Sequence, residues 1–190
     1  ALLPGSLFAQ DGTEDVPAEV RIILKQMAKA DDANLWRLAD RLASLGPKAV
    51  EPIQGALADH PPRPRLGAAS ALVDLGEESL GVGEILAIAG DQAKVPNEVR
   101  IAAIDLLASK GSADVEDSLL RMLDDVFDSR IRISLARTLW ILTKDLRAKT
   151  ELKKVLRSDD PEVKIEGALA LAGIGDTESV RSLLAAIQDE

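Results

Sequence analysis

The sequence has no cysteine and no tyrosine, a single histidine, and an aromatic share of only 2% over 190 residues. Without cysteine there is neither a disulfide framework nor a thiolate metal site, and the redox compartment stays open. The one histidine, His60, sits in "DHPPR". No second His or Cys exists to complete a ligand set, so it reads as a loop residue rather than a metal ligand or an acid–base group. With aromatics scarce, the 46% of hydrophobic residues are almost all Ala, Leu, Ile and Val. That palette favours closely packed helices over a β-sandwich. Long apolar runs are missing too: none approaches the roughly 18 to 20 residues that a membrane span needs. No membrane partner is expected. Positive charge is in deficit, with a formal net charge of −9. Nucleic-acid binding rests on Lys and Arg displacing counterions from phosphates, so no nucleic-acid partner is expected.

What is present is the composition of an ordered domain, 46% hydrophobic and 29% charged. The opening "ALLPGSLFAQDGTED" is set apart, because Leu2, Leu3, Leu7 and Phe8 precede Ala9 and the chain then turns polar at Gln10. Residues 1–17 form an N-terminal arm with two readings. One is the tail of a secretory signal peptide cut after Ala9, which would place the protein in an exported compartment, periplasmic or extracellular. The other is an apolar arm that packs on the first helices of a cytoplasmic protein.

The remainder, 18–190, repeats itself. "PRLGAASALVDLG" ends at Gly76, "VRIAAIDLLASKG" at Gly111, "IRISLARTLWILT" at Thr143 and "VKIEGALALAGIG" at Gly175, spacings of 35, 32 and 32 residues. "NLWRLADRLASLG", ending at Gly46, extends the series with poorer internal agreement. Each string has helical periodicity: Val163, Gly167, Ala170, Leu171 and Ile174 make one stripe, and Ile165, Ala168 and Ala172 a second beside it. Only a narrow side is left for water. Small residues on such a helix let neighbours approach closely, and the terminal Gly can take the left-handed conformation that ends it. A second amphipathic helix follows, as in "ESVRSLLAAIQ" with Val180, Leu183, Leu184 and Ile187. The pairs Asp31-Asp32, Asp124-Asp125 and Asp159-Asp160 fall at unit boundaries and read as helix caps rather than catalytic carboxylates. Trp36 and Trp140 lie in first helices and read as core.

A single hairpin cannot bury two apolar faces, so the units should stack on their neighbours. The expected fold is all-α: a right-handed α-solenoid, an α–α superhelix of about five helical hairpins, with units near 33–60, 61–90, 96–125, 128–157 and 160–190. A helix over residues 18–29 would cap its N-terminal end. The Val-Arg opening, the small and apolar run, the closing Gly and the upstream Asp or Pro together resemble HEAT repeats, in particular the short units of phycobilisome-lyase type. The resemblance covers about residues 33–190 and implies scaffolds, adaptors and regulatory arms. The hydroxylase branch of that family binds iron through His–Glu pairs; with His60 alone, that activity is not carried over. "GVGEIL" at 81–86 lacks the strand and third glycine of a dinucleotide fingerprint, and "GDTES" lacks the glycine of an aspartic protease. No cofactor, metal or catalytic residue is expected.

Two patterns remain. Arg65, Arg100, Arg132 and Lys164 share one repeat position that turns toward the packed side. Buried charges are normally paired, so the preferred reading is a structural ladder in which each cation meets a carboxylate or carbonyl from the adjoining loop; the alternative is a ligand-binding row. Second helices also alternate in sign: 112–125 is acidic, with Glu116 and Asp117 against Arg121, and 144–157 is basic, with Lys149 and Lys153. These, with Arg181, are the candidate partner-binding residues of a concave second-helix face, or else they are inter-unit charge pairs. The expected function is a non-enzymatic protein-interaction scaffold or adaptor. Its rival is a regulatory or substrate-presenting arm of a larger exported enzyme. The apolar end of the repeat is expected to meet a continuing chain or another molecule.

Overall fold

The computed structural model describes residues 15–179 and 181. Residues 1–14 of the arm, and Val180, Leu183, Leu184 and Ile187 of the last helix, lie outside that range. Every regular element among the described residues is a helix: α1 (Val16–Met27), α2 (Asp32–Ser44), α3 (Val50–Leu57), α4 (Pro62–Asp74), α5 (Glu78–Gly90), α6 (Asn97–Lys110), α7 (Glu116–Asp125), α8 (Ser129–Thr143), α9 (Leu146–Val155) and α10 (Pro161–Gly173). Short 3₁₀ turns precede α3 and α7, and a further helix opens at 177.

The helix starts follow from carboxylates that accept the orphan backbone N–H groups of a first turn. Asp31 accepts from Asn34 N at 2.8 Å, Asp128 from Arg130 N and Ile131 N at 2.9 and 3.0 Å, and Asp160 from Glu162 N at 2.9 Å. Asp124 and Asp125 are not caps. They end α7, after which Val126 is extended, so the cap of α8 falls to Asp128. At the other ends, Gly46, Gly76 and Gly175 have φ of 75°, 90° and 84°, the left-handed region that glycine tolerates. Two strings depart from this pattern. Gly111 has φ −85°, and after Thr143 the left-handed residue is Lys144, whose ammonium stands 5.6 Å from the centre of the Trp140 ring.

Packing runs along the chain. The helices α2, α4, α6, α8 and α10 touch in series, each on the next. Within pairs, α4 packs on α5 and α8 on α9; between pairs, α3 packs on α4, α5 on α6, α7 on α8 and α9 on α10. Helix α1 lies over α2, α3 and α4. Buried residues form two apolar cores that meet at α4: Ala68, Ala71 and Leu72 face the α1–α3 side, and Leu66 and Ala69 the side toward α5 and beyond. Hence α4 is buried nearly all round, from Leu66 to Leu72, and so is α8 from Ile133 to Ala136. The α4–α5 contact is close: a Cβ at Gly81 would stand 2.5 Å from Val73 Cγ2 and 2.6 Å from the Ala69 carbonyl. At Gly167 a Cβ would meet Val155 Cγ1 of α9 at 2.8 Å, which explains a glycine in mid-helix there.

Helix α10 corrects the expectation of a narrow wet side. Val163, Gly167, Ala170 and Leu171 are buried as one stripe, but Ile165 and Leu169 are exposed. Of α1 to α9, α8 and α9 are the helices that pack on α10, and they leave Ile165 and Leu169 uncovered.

Candidate functional site

The repeated cations find different partners. Arg65 donates from Nε to Glu84 at 2.6 Å, and Arg132 from Nη1 to Glu151 at 2.9 Å with a second bond to the Val126 carbonyl. Both carboxylates lie 19 residues after their arginine and come from the second helix of the same pair, α5 and α9, not from the adjoining loop. Burial raises the Glu151 carboxyl, but the hydrogen bonds and charges of Lys154 and Arg132 outweigh it, so the group lies below its ordinary range. The same offset from Arg100 reaches Leu119, and Arg100, though buried, turns instead to the Ala89 carbonyl at 2.9 Å and to Asn97 at 3.3 Å. Burial lowers its guanidinium below the usual arginine range against the opposing pull of Asp128 and Asp91. Lys164 is half-buried and has no polar partner among the described residues.

The second-helix residues divide. Lys149 and Lys153 of α9 converge on Asp176 Oδ2, at 3.1 and 3.3 Å, across to the next turn of chain. Asp176 is 6% exposed and also receives Ser179 N at 3.3 Å and Ser179 Oγ at 3.0 Å, so it caps the helix that opens at 177 while it clasps α9. Burial raises this carboxyl, yet the bonds from Lys149, Ser179 and Lys153 together hold it at about 2. These two lysines are therefore occupied inside the fold, and the acids of α7 have no share in them. On α7, Asp117 and Arg121 are exposed and Glu116 half-buried; Arg121 donates to Ser118 Oγ at 3.1 Å, and no ion pair involves Glu116 or Asp117 among the described residues. Arg181 is exposed. The structure thus brings Lys149 and Lys153 together and leaves Glu116, Asp117 and Arg121 on a separate helix.

Between α7, α8 and α9 lies an open polar depression of about 530 Å³, lined by Asp124, Arg132, Glu151, Lys154 and Arg157 among others. Its neighbour in sequence is the most exposed large apolar side chain described, Phe127, at 96%. The backbone on both sides of Phe127 is held: Val126 is buried with its carbonyl bonded to Arg132, and Asp128 caps α8 while it accepts from Asn97 Nδ2 at 2.9 Å. Carboxylates Asp124, Asp125 and Asp128 surround it in sequence. The first-helix side has its own grooves. One of about 480 Å³, between α6, α8 and α10, is lined by the apolar Ile101, Ile133 and Leu169 and by the charged Arg130, Arg137, Glu98, Asp105 and Glu166. There Arg137 pairs with Asp105 at 2.6 Å, and Arg130 with Glu162 at 2.8 Å and Glu166 at 3.4 Å.

The sequence carried a signal for Glu84 and Glu151, their common 19-residue offset, and for Phe127, a lone aromatic among aspartates. For Asp176 the sequence carried only its cap on Ser179, three residues on; its lysine partners lie on the preceding pair and left no signal. Among the described residues no three His, Cys, Asp or Glu side chains gather as a metal site. His60 is half-buried in the turn before α4. No helix among the described residues is long and apolar enough to cross a membrane. No family model matches the sequence, and no curated protein matches it.

Proposed function

We propose that the chain is a right-handed α-solenoid of HEAT-like units that works as a non-catalytic protein-interaction scaffold, docking a partner on its second-helix side around α7 and the α7–α8 loop. The serial contact of α2, α4, α6, α8 and α10, with α5 wedged against α4 and α6 and α9 against α8 and α10, supports the stacked arrangement. The observation that carries the binding surface is Phe127, a large apolar side chain 96% exposed on a stretch of backbone held by a buried neighbour and a capping neighbour. Aromatic anchors with a polar rim dominate the energetics of many interfaces, and a loop whose backbone is already held loses little backbone entropy on docking. Its acidic rim, extended by Glu116 and Asp117, suits a partner with a basic border around an apolar pocket. Lys149 and Lys153 play no direct part, since Asp176 holds them.

The test is binding of a purified partner, identified by affinity capture and then measured by titration with the intact chain. Phe127→Ser should weaken binding by about 10-fold or more, and Asp124→Asn with Asp125→Asn should slow association and flatten its salt dependence. A partner bound equally well by both variants would place the interface elsewhere.

A further inference from the structure

Ile101, Ile133 and Ile165 occupy one repeat position in α6, α8 and α10. Ile133 is 6% exposed, whereas Ile165 is 58% and its neighbour Leu169 67% exposed. At 100° per residue Ile165 points away from the buried stripe of α10, with Leu169 and Ala172 beside it. This helix therefore offers solvent the face that α8 keeps covered. Around that face stand Asp159, Asp160, Glu162 and Glu166, of which Glu162 and Glu166 share the single guanidinium of Arg130 while Asp160 caps the helix. Even with the half-buried Lys164 of α10 counted beside Arg130, these four carboxylates leave the edge acidic in excess.

The opposite character appears on α1. It buries Val20, Ile23, Leu24 and Met27 and turns Arg21 and Lys25 outward, around an Ile22 that is 53% exposed, and the exposed Lys29 follows in the turn that ends it. No carboxylate pairs with these three cations among the described residues. A helix whose outer face is basic with one apolar side chain matches a helix whose outer face is apolar with an acidic border.

We propose that the two faces bind each other between copies: α10 of one chain lies against α1 of the next, with Ile165 and Leu169 packed on Ile22 and the methylene stems of Lys25 and Lys29, and the carboxylates set against the cations. This goes beyond the scaffold reading, because it names a second copy of the chain as a partner and uses neither Phe127 nor α7. The two surfaces differ, so the contact is heterologous: it adds copies head to tail and does not close at a dimer. With few apolar side chains at its centre it is weak, and with charges at its border it weakens as salt rises.

Sedimentation velocity of the intact chain tests it, from low-micromolar to near-millimolar protein at low and high salt. The average sedimentation coefficient should rise with concentration and fall with salt. Ile165→Glu and the pair Arg21→Glu, Lys25→Glu should each stay monomeric, with circular dichroism unchanged because every substituted side chain is exposed. The two monomeric variants mixed together should form a one-to-one dimer and nothing larger, since one keeps an intact α1 face and the other an intact α10 face. A wild-type chain that stays monomeric throughout overturns the proposal, whether residues 182–190 or a different protein covers α10. So does self-association that ignores the α1 charges, which would mean α10 pairing with α10.

Discussion

Gly81 and Gly83 stand two residues apart in α5 and differ in what surrounds them. A Cβ at Gly81 would press within 2.6 Å of the Ala69 carbonyl and 2.5 Å of Val73, whereas at Gly83 nothing lies within 4 Å. Gly81→Ala is expected to destabilise by about 1 to 3 kcal/mol, because α4 must move away from α5. Gly83→Ala is expected to stabilise by about 0.5 to 1 kcal/mol through its helix propensity alone. Urea midpoints of the two variants check both signs, and equal shifts would contradict the close crossing. The sequence made both glycines visible as small residues in a helix but could not say which one a neighbour touches. Contact needs the crossing point, and no local pattern encodes it. Caps were legible for the converse reason: Asp128 and Asp160 act on N–H groups two and three residues away.

At the scale of elements, the helices and their order could be read from periodicity, while the wet and dry faces of α10 could not, because they depend on what lies beside it. Charge partners divide likewise. A 19-residue offset serves Arg65 and Arg132 but fails for Arg100, whose counterpart is Leu119. The Asp176 clasp, which ties α9 to the helix opening at 177, crosses between pairs and left no trace in any single string. Its carboxyl sits at about 2 in the folded protein against an ordinary 3.8. A depressed folded-state value stabilises above the unfolded value and is lost as pH falls through the folded one. Asp176→Asn should therefore cost about 1 to 2 kcal/mol at neutral pH, kept small because Lys153 is half exposed. The gap between variant and wild type should shrink below about pH 4 and close toward pH 2, read by urea unfolding at each pH. A gap independent of pH would assign the loss to packing.

For the whole molecule, small-angle scattering tests the stacked arrangement proposed above. A compact chain of this length has a radius of gyration of about 16 Å, and a stacked array should exceed that value clearly; agreement with it would defeat the arrangement. The serial contact of α2, α4, α6, α8 and α10 has one more consequence, a mechanical one. In the stacked arrangement proposed above, helices remote in sequence do not brace one another, so a load applied at α1 and α10 would pass through the helix interfaces as through springs joined end to end. Each interface yields a little, the displacements add, and stiffness falls as interfaces are added. The α4–α5 contact at Gly81 lies within one pair, beside this path rather than on it, so it keeps that pair together while the displacement falls on the interfaces between successive members of the series.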